Sequence, residues 1–279
     1  MTPGRMAVRR FARSRLSMVG LAIVVVMALA AVFAAHLAPL SPITQDYNAL
    51  LQPPGNGHAL GTDELGRDEL ARVIYGSRVS LEAGVISVGL AVAVGVPLGL
   101  AAGYLRGAFD EVVMRIVDAM LAFPFIILAL ALAGVLGPGF THAMVAIGIG
   151  FVPGFVRLVR GQVLAEREKD YVAAAEASGG GVARILFGHI LINILAPILV
   201  QAALSMSFAI VAEAGLSYLG LGVQPPTPSW GSMLRTAQGY LSRASWMAYW
   251  PGLAIFLAVL GFNLMADGLR DALDVKQQL

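Results

Sequence analysis

The chain of 279 residues contains no cysteine and only two lysines, Lys169 and Lys276. The absence of cysteine excludes a disulfide framework, a thiolate metal site and a cysteine nucleophile. Neither lysine follows a glycine-rich loop, so the chain lacks the G-x-x-x-x-G-K-S/T loop that binds nucleotide phosphates. Any ATP hydrolysis linked to this protein must therefore occur on another chain.

Histidine and charged residues are also scarce. The histidines, His36, His58, His142 and His189, do not have the spacing of metal ligands, so no metal site is predicted. A weak nickel contact by the three that we expect on the outer side stays open as a minor alternative. Ser217 does not form a nucleophile elbow, because a flanking glycine is missing on one side.

Long apolar blocks dominate what is present. Hydrophobic residues make up 58% of the chain and charged residues 13%, against about one-quarter charged in soluble domains. Most blocks are long enough to cross a hydrocarbon core of about 30 Å as helices. Such spans must be helical, because lipid offers no hydrogen-bond partner for free backbone groups. We expect an all-α integral membrane protein, a six-transmembrane-helix bundle with spans at 17–38, 83–105, 113–136, 142–160, 190–212 and 248–267. The fourth span is the weakest, because Pro153 and Gly154 interrupt it.

The distribution of basic residues predicts the orientation. Five arginines precede the first span, which places the N-terminus in the cytoplasm, and six crossings return the C-terminus there. The predicted cytoplasmic set is Arg5, Arg9, Arg10, Arg13, Arg15, Arg106, Arg115, Arg157, Arg160, Arg167, Lys169, Arg184, Arg270 and Lys276, against Arg67, Arg72, Arg78, Arg235 and Arg243 outside. Since these residues flank a membrane, a nucleic-acid partner is not expected.

A cleaved signal peptide is the alternative for the N-terminus. Its small-residue site would be Ala28-Leu29-Ala30, which lies inside the apolar block. That block, at about 22 residues, exceeds the usual signal core of about 7–15. We therefore expect an anchor.

The predicted organisation is one membrane domain. It comprises a basic cytoplasmic N-terminus (1–16), the first transmembrane helix (17–38), an external segment with an interfacial helix (39–82), a five-helix core (83–267) that contains a cytoplasmic loop (161–189), and a cytoplasmic tail (268–279). A second external segment covers about 213–247, and short turns are expected at 106–111 inside and 137–141 outside.

Small residues and charges within the spans predict packing. Gly95, Gly99 and Gly103, and likewise Gly150 and Gly154, repeat at a spacing that lets helices approach closely in lipid. Charges near span ends are expected to serve as local ion pairs or subunit contacts. They are Glu111, Arg115 and Asp118 on the third span, Glu213 on the fifth and Asp267 on the sixth.

The cytoplasmic loop carries the strongest functional signal. Ala173, Ala174, Ala175 and Ala177 favour a slim helix, and Gly179, Gly180 and Gly181 end it. Charges at its borders suit insertion of this helix into a groove of a partner. Composition alone leaves a solvated connector equally open.

Several segments together resemble one branch of ABC importer permeases, that for dipeptides, oligopeptides and nickel, and within it the C-type partner subunit. They run over 58–68, 74–81, 213–226, 230–231, 262–264 and 267–274. The cytoplasmic loop resembles the family pattern Glu-Ala-Ala, three residues, Gly at Ala173, Ala174, Ala175 and Gly179, with Ala173 in place of the Glu. A later proline of the pattern is Ile192 here.

The resemblance implies the fold of a type I ABC importer transmembrane domain and a role as permease. It implies a homologous second permease, two ATP-binding subunits that hold ATP and Mg, an extracytoplasmic solute-binding protein and membrane lipid as partners, with no cofactor or metal on this chain. The implied coupling helix to the ATPase contains Tyr171, Val172, Ala173, Ala174, Ala175, Glu176 and Gly179. The implied segments for the binding protein or the gate contain Gly61, Thr62, Asp63, Gly66, Arg67, Asp68, Pro225, Pro226 and Trp230.

The cargo implied by the resemblance is a short peptide, carried across the plasma membrane. Nickel, glutathione or another peptide-like solute is the alternative. A stand-alone channel or secondary transporter would need ionisable groups near the membrane midplane, of which we find few. A membrane-embedded enzyme would need a cluster of catalytic side chains, and none is evident.

Overall fold

The architecture comes from a computed structural model that describes residues 3–55 and 57–273. It is almost entirely helical in this part of the chain. Lys276, and the end of the predicted C-terminal tail from residue 274 on, lie outside the described residues.

The helices follow one another closely along the chain. In order they are α1 Pro3–Arg13, α2 Arg15–Val32, α3 Ala34–Leu37, α4 Glu69–Leu105, α5 Gly107–Leu121, α6 Phe125–Leu136, α7 Phe140–Arg167, α8 Asp170–Ala177, α9 Val182–Ile185, α10 Leu191–Asn193, α11 Leu195–Tyr218, α12 Trp230–Gln238 and α13 Trp246–Leu273. A single π-helical turn, Leu186–Ile190, joins α9 to α10.

Five of these helices, α2, α4, α7, α11 and α13, are long and apolar enough to cross a membrane. The third predicted span is instead broken. Its two halves, α5 and α6, are bent by 93° at residues 122–124. The break follows from Pro124, because proline lacks an N–H and disfavours the helical conformation of the preceding Phe123. With the broken pair counted as one span, the described chain has six.

Three local predictions are corrected. The predicted interfacial helix is not separate, because residues 69–82 are the first turns of α4. Asp68 caps α4 by accepting the Ala71 N–H at 2.8 Å, no proline interrupts residues 69–96, and this part of α4 is buried against protein. The predicted inner turn at 106–111 is mostly the start of α5. The fourth span continues as one helix through Pro153, and α7 extends to Arg167 into the predicted loop.

The tightest helix pair is α4 with α7. A Cβ on Gly95, Gly99 or Gly103 would lie 2.7 Å from the Cβ atoms of Phe155, Val159 and Val163 respectively. These distances are shorter than real Cβ contacts, so only glycine permits this approach, as the four-residue spacing predicts. The second predicted glycine pair does not form such a stripe. Gly150 faces the ring of Phe125, and a Cβ on Gly154 would meet nothing within 4 Å.

The main core surrounds this pair. Met144, Ile147, Phe155 and Val159 of α7 lie in it together with Leu100 of α4 and with Ile190, Ile194 and Ile198 before and within α11. A second cluster joins α11, α12 and α13 through Ile210, Trp230 and Phe262. Helices α2 and α13 meet where Gly20 and Gly261 allow close approach. Both ends of α11 are therefore packed in the bundle. The 161–189 loop lies at one end of α11, and the segments predicted to be external lie at the other.

Candidate functional site

The loop over residues 161–189, predicted to be cytoplasmic, contains the predicted slim helix as α8. Its end is a Schellman motif: the Gly180 N–H bonds the Ala175 carbonyl at 3.0 Å, and the Gly179 N–H bonds the Glu176 carbonyl at 2.9 Å. Gly179 has φ +75°, which a side chain would strain. The three glycines therefore stop the helix where the sequence predicts.

The two faces of α8 differ in burial. Val172 is buried and packs with Ile185, Leu186 and Ile190 in the main core. Ala173, Ala174 and Ala177 are exposed. We call these three residues the alanine face. It is flat and apolar, and it lies opposite the side chain that ties α8 to the bundle.

The beginning of α8 is fixed to the end of α7 by one carboxylate. Glu166 accepts a hydrogen bond from the Tyr171 hydroxyl at 2.6 Å and pairs with the Lys169 ammonium at 2.5 Å. Burial, followed by the bond to Glu166, raises the pKa of Tyr171 to about 12. The phenol thus remains protonated, and a donor, throughout the physiological pH range.

The middle of α8 is fixed to the C-terminal end of α4. The Tyr104 hydroxyl donates to a Glu176 carboxylate oxygen at 2.8 Å. Arg167 donates to the Tyr104 carbonyl at 2.6 Å, and its guanidinium carbon lies 5.0 Å from the centre of the tyrosine ring. We call Tyr104, Arg167 and Glu176 the tether. It connects the loop to two long helices at once.

Tyr104 is a site residue that sequence reasoning missed. It lies 72 positions from Glu176, and nothing in the sequence around it marks a partner. Ala173, which stands where the Glu-Ala-Ala loop pattern has its Glu, is exposed. Glu176 lies one helical turn further along α8. The α8 carboxylate that contacts α4 is therefore that of Glu176.

The external residues predicted at 61–68 form a tight, buried turn. Asp63 accepts the N–H groups of Leu65 and Arg67 at 2.9 Å, and its other oxygen accepts Arg67 Nε at 2.6 Å and lies 3.3 Å from Arg72 Nε. Burial, with the charge of Asp63 second, raises the pKa of the neighbouring Glu64 carboxyl. The charges of this turn are thus directed inward.

Two glycines and one threonine complete this turn. Gly66 has φ +72°, and a Cβ there would lie 1.9 Å from the Asp46 carbonyl oxygen. Gly61 has φ +86° and lies against Gln52 and Trp246. Thr62, which is fully buried, bonds the Ala49 carbonyl and accepts the Gln52 N–H. Asp68 also contacts His58 Nδ1 at 3.0 Å. These buried side chains fix the backbone of the 61–68 turn.

The structure brings the two predicted external segments together. The indole of Trp230 donates to the Val73 carbonyl at 3.0 Å and lies against Gly76, where a Cβ would be 2.8 Å from the ring. The indole of Trp246 donates to the Thr62 carbonyl at 3.1 Å. We call residues 58–81 and 213–231 the external platform. Sequence reasoning found both segments but not that they form one body.

A buried carboxyl joins the two segments of the platform. Glu213 of α11 is fully buried and accepts hydrogen bonds from Ser217 at 2.7 Å and from Ser80 of α4 at 3.2 Å. Gly231 lies so close to Ala214 that a Cβ would be 2.2 Å from the carbonyl oxygen. These contacts hold the 219–231 segment onto the helix ends. Its tip, including Pro225 and Pro226, is exposed.

The predicted local ion pair at the start of the third span is present, and pairs between helices accompany it. Arg115 and Glu111 lie 3.9 Å apart on exposed side chains. Asp118 instead pairs with Arg157 of α7 at 2.5 Å. Two further residues, Asp110 and Arg160, form a bidentate pair between α5 and α7 at 2.5 and 2.6 Å. These pairs connect the broken third span to α7.

The side chains that could ligate a metal ion are not clustered in the part of the chain that the structure describes. Among residues 3–55 and 57–273, no three His, Asp or Glu side chains gather as a group that could hold a metal ion. His58 contacts Asp68, and His142 contacts the Gly137 carbonyl at 3.1 Å. What the geometry offers is two surfaces at opposite ends of one helical bundle.

Comparisons with known proteins agree with this arrangement. Residues 95–278 match the family described as binding-protein-dependent transport system inner membrane component, and residues 2–54 match the N-terminal transmembrane domain of oligopeptide transport permease C. The di/tripeptide transport system permease protein DppC of Pseudomonas aeruginosa is 46% identical, over 95% of this chain and 90% of that protein.

Two further relatives and one structure extend the comparison. The dipeptide transport system permease protein DppC of Escherichia coli is 46% identical over 99% of this chain and 94% of its own length. The glutathione transport system permease protein GsiD of Pectobacterium atrosepticum is 42% identical over 99% and 92%. An inward-facing structure of the MetNI methionine ABC transporter shares the fold, with a TM-score of 0.59 and 20% identity, over 72% of this chain and 96% of that chain.

Proposed function

Since this chain belongs to the binding-protein-dependent transport system inner membrane component family, whose members are permease subunits of ABC importers, we propose that its cargo is a short peptide. The observation that carries this proposal is the 46% identity with di/tripeptide and dipeptide permeases over nearly the whole chain. The relative named for glutathione, itself a small peptide, supports the same solute class.

The assembly that we propose has five parts. This chain pairs with a second, homologous permease, two ATP-binding subunits act from the cytoplasm, and an extracytoplasmic binding protein delivers the peptide. ATP and Mg are bound by the partner ATPases, because this chain has no phosphate-binding loop. Both termini lie in the cytoplasm of this multi-pass plasma membrane protein, in keeping with the excess of arginine on that side.

In this proposal α8 is the coupling helix, and its alanine face inserts into a groove of an ATP-binding subunit. The small side chains of Ala173, Ala174 and Ala177 let a partner approach the helix closely. Movement of α8 reaches the bundle through two connections. The first is Val172 in the core, and the second is the tether to α4 and α7.

The external platform receives the binding protein in the same scheme. Its exposed tip at Pro225 and Pro226 is suited to direct contact. The buried residues of the 61–68 turn, together with Trp230, hold that tip in position. Because α4 and α11 carry both the platform and the connections of the loop, a change at either end can reach the other.

A transport assay tests the cargo. The complete complex is reconstituted in liposomes that contain ATP, with binding protein and labelled dialanine outside. We expect uptake that requires ATP and all partner subunits. Uptake by this chain alone would contradict its role as a permease subunit. Uptake of glutathione or a nickel chelate without uptake of dialanine would contradict the peptide cargo only.

A substitution on the alanine face tests the docking of α8. Ala174→Arg adds bulk to an exposed position that makes no core contact, so the chain should fold and insert normally while ATP-binding subunits are lost from the purified complex. Ala108→Arg, at another exposed cytoplasmic alanine, is the matched control and should retain them. Full retention of the ATPases by the Ala174→Arg complex would contradict docking at this face.

A further inference from the structure

The first 45 residues of the chain contain no acidic residue, since Asp46 is the first. The same stretch contains five arginines, four before the first membrane helix and one at its first residue. Arg5, Arg9, Arg10 and Arg13 belong to α1, and Arg15 begins α2. A preference for cytoplasmic location requires positive charge but no particular fold of the segment that bears it. Here the basic segment forms a helix, α1, and orientation of the chain alone does not explain why it is folded.

Helix α1 is fixed against the cytoplasmic end of α13. A Cβ on Gly268 would lie 2.9 Å from the Phe11 ring and 2.1 Å from the Ser17 hydroxyl, so both side chains pack directly on this glycine. Ser14 alone separates α1 from α2, and its hydroxyl caps α2 by accepting the Ser17 N–H at 3.3 Å. Arg13 therefore lies within one turn of the start of the first membrane span.

Arg9 and Arg13 lie on the side of α1 away from this contact, and Arg10 lies at its edge. At 100° per residue, Arg9 and Arg13 are each 200° from Phe11, and both are exposed. Met6, Arg9, Arg10 and Arg13 line a shallow recess on that side. Within residues 3–55 and 57–273, no acidic side chain lies within ion-pair distance of Arg9, Arg10 or Arg13. We call these three residues the arginine face.

We propose that the arginine face binds the phosphate groups of anionic phospholipids in the cytoplasmic leaflet. Basic residues close to a membrane span are attracted to that leaflet, and the attraction weakens beyond a Debye length of about 8 Å at physiological salt. The attraction to anionic lipids is therefore strong only for charges at the headgroup layer. Because α1 is anchored beside the first span, Arg9 and Arg13 are held at that layer. The structure thus assigns α1 as a lipid-binding element, whichever solute the bundle carries.

Spin-labelled lipids test the proposal. The complete transporter is placed in phosphatidylcholine nanodiscs with spin-labelled phosphatidylglycerol or phosphatidylcholine, and the protein-bound fraction is measured by EPR. We expect phosphatidylglycerol to associate about fivefold more strongly, which corresponds to the contribution of one basic residue near a membrane surface. In 0.5 M NaCl this preference should fall towards one. A ratio near one at low salt would overturn the proposal without any variant.

Three sets of variants locate the lipid site. R9Q/R10Q/R13Q should remove the preference, and R9K/R10K/R13K, which retains the charge, should keep it. R184Q/R243Q removes two exposed arginines elsewhere and should also keep it. An unchanged ratio in R9Q/R10Q/R13Q would overturn the proposal. If that variant keeps the lipid preference but loses ATP-binding subunits, the face belongs to a protein contact instead.

Discussion

Removal of a single hydroxyl, Tyr104→Phe, should loosen the coupling helix. The hydroxyl bonds the Glu176 carboxylate at 2.8 Å, and Tyr104 is 8% exposed whereas Glu176 is exposed. A hydrogen bond to a charged group contributes about 1.5–3 kcal/mol when buried and a neutral one about 1. Because water reaches Glu176, we take about 1 kcal/mol, which corresponds to a roughly fivefold shift in the equilibrium between the docked and undocked loop.

Hydrogen exchange at the α8 amides measures this equilibrium. Tyr104→Phe and Glu176→Ala should each accelerate exchange by about fivefold, because each removes the hydrogen bond and local opening is the step that exposes these amides. The double variant should exchange no faster than either single variant, since both changes remove the same bond. In reconstituted complexes the single variants should also carry less peptide for each ATP hydrolysed.

The control is Glu168→Gln in the same loop. Glu168 pairs with Arg106 at 2.7 Å, but both side chains are about half exposed or more, and such surface pairs contribute about 0–1 kcal/mol. We expect little change in exchange. Effects of Tyr104→Phe and Glu176→Ala that multiply to about 25-fold in the double variant would refute the reasoning, because independent sites cannot form one tether.

The helix packing and the external platform give two further predictions, both measured by unfolding in detergent–SDS mixtures. Gly99→Ala should lower the free energy of unfolding by about 1–3 kcal/mol, because the added Cβ overpacks the α4–α7 contact. Gly89→Ala is the control and should not lower it, since its Cβ would meet nothing within 4 Å. Equal effects of the two changes would contradict the contact. Trp230→Phe should lower the free energy of unfolding by about 1–3 kcal/mol, because the indole bond to the Val73 carbonyl and part of a buried ring are lost. Trp250→Phe removes a buried Nε1 that has no partner among the described residues, so its effect should be smaller. A larger loss in Trp250→Phe would contradict the role of the Trp230 bond.

The sequence was sufficient for those features that depend on neighbours in the chain. The alanines of α8 and the left-handed Gly179 follow from propensity and from the conformational freedom of glycine. Likewise the spacing of Gly95, Gly99 and Gly103 predicted a close helix contact, although not that its partner is α7.

Features that join distant segments could not be predicted. Nothing around Tyr104 indicates Glu176, and nothing around Trp230 indicates Val73, because these contacts depend on how whole helices pack. The broken third span is different in kind. Our prediction of that span relied on the length of the apolar block and did not consider Pro124, whose local effect breaks the helix.

The most direct test of the coupling role is a crosslink from α8 to an ATP-binding subunit during transport. The chain has no cysteine, so Ala174→Cys supplies a single thiol on the alanine face for a short bifunctional reagent. We expect crosslinks to the ATP-binding subunit whose yield changes when ATP is added, together with protection from impermeant thiol reagents applied outside the cell. Labelling of that thiol from outside, or peptide uptake in a complex where it never crosslinks to the ATPase, would contradict the account.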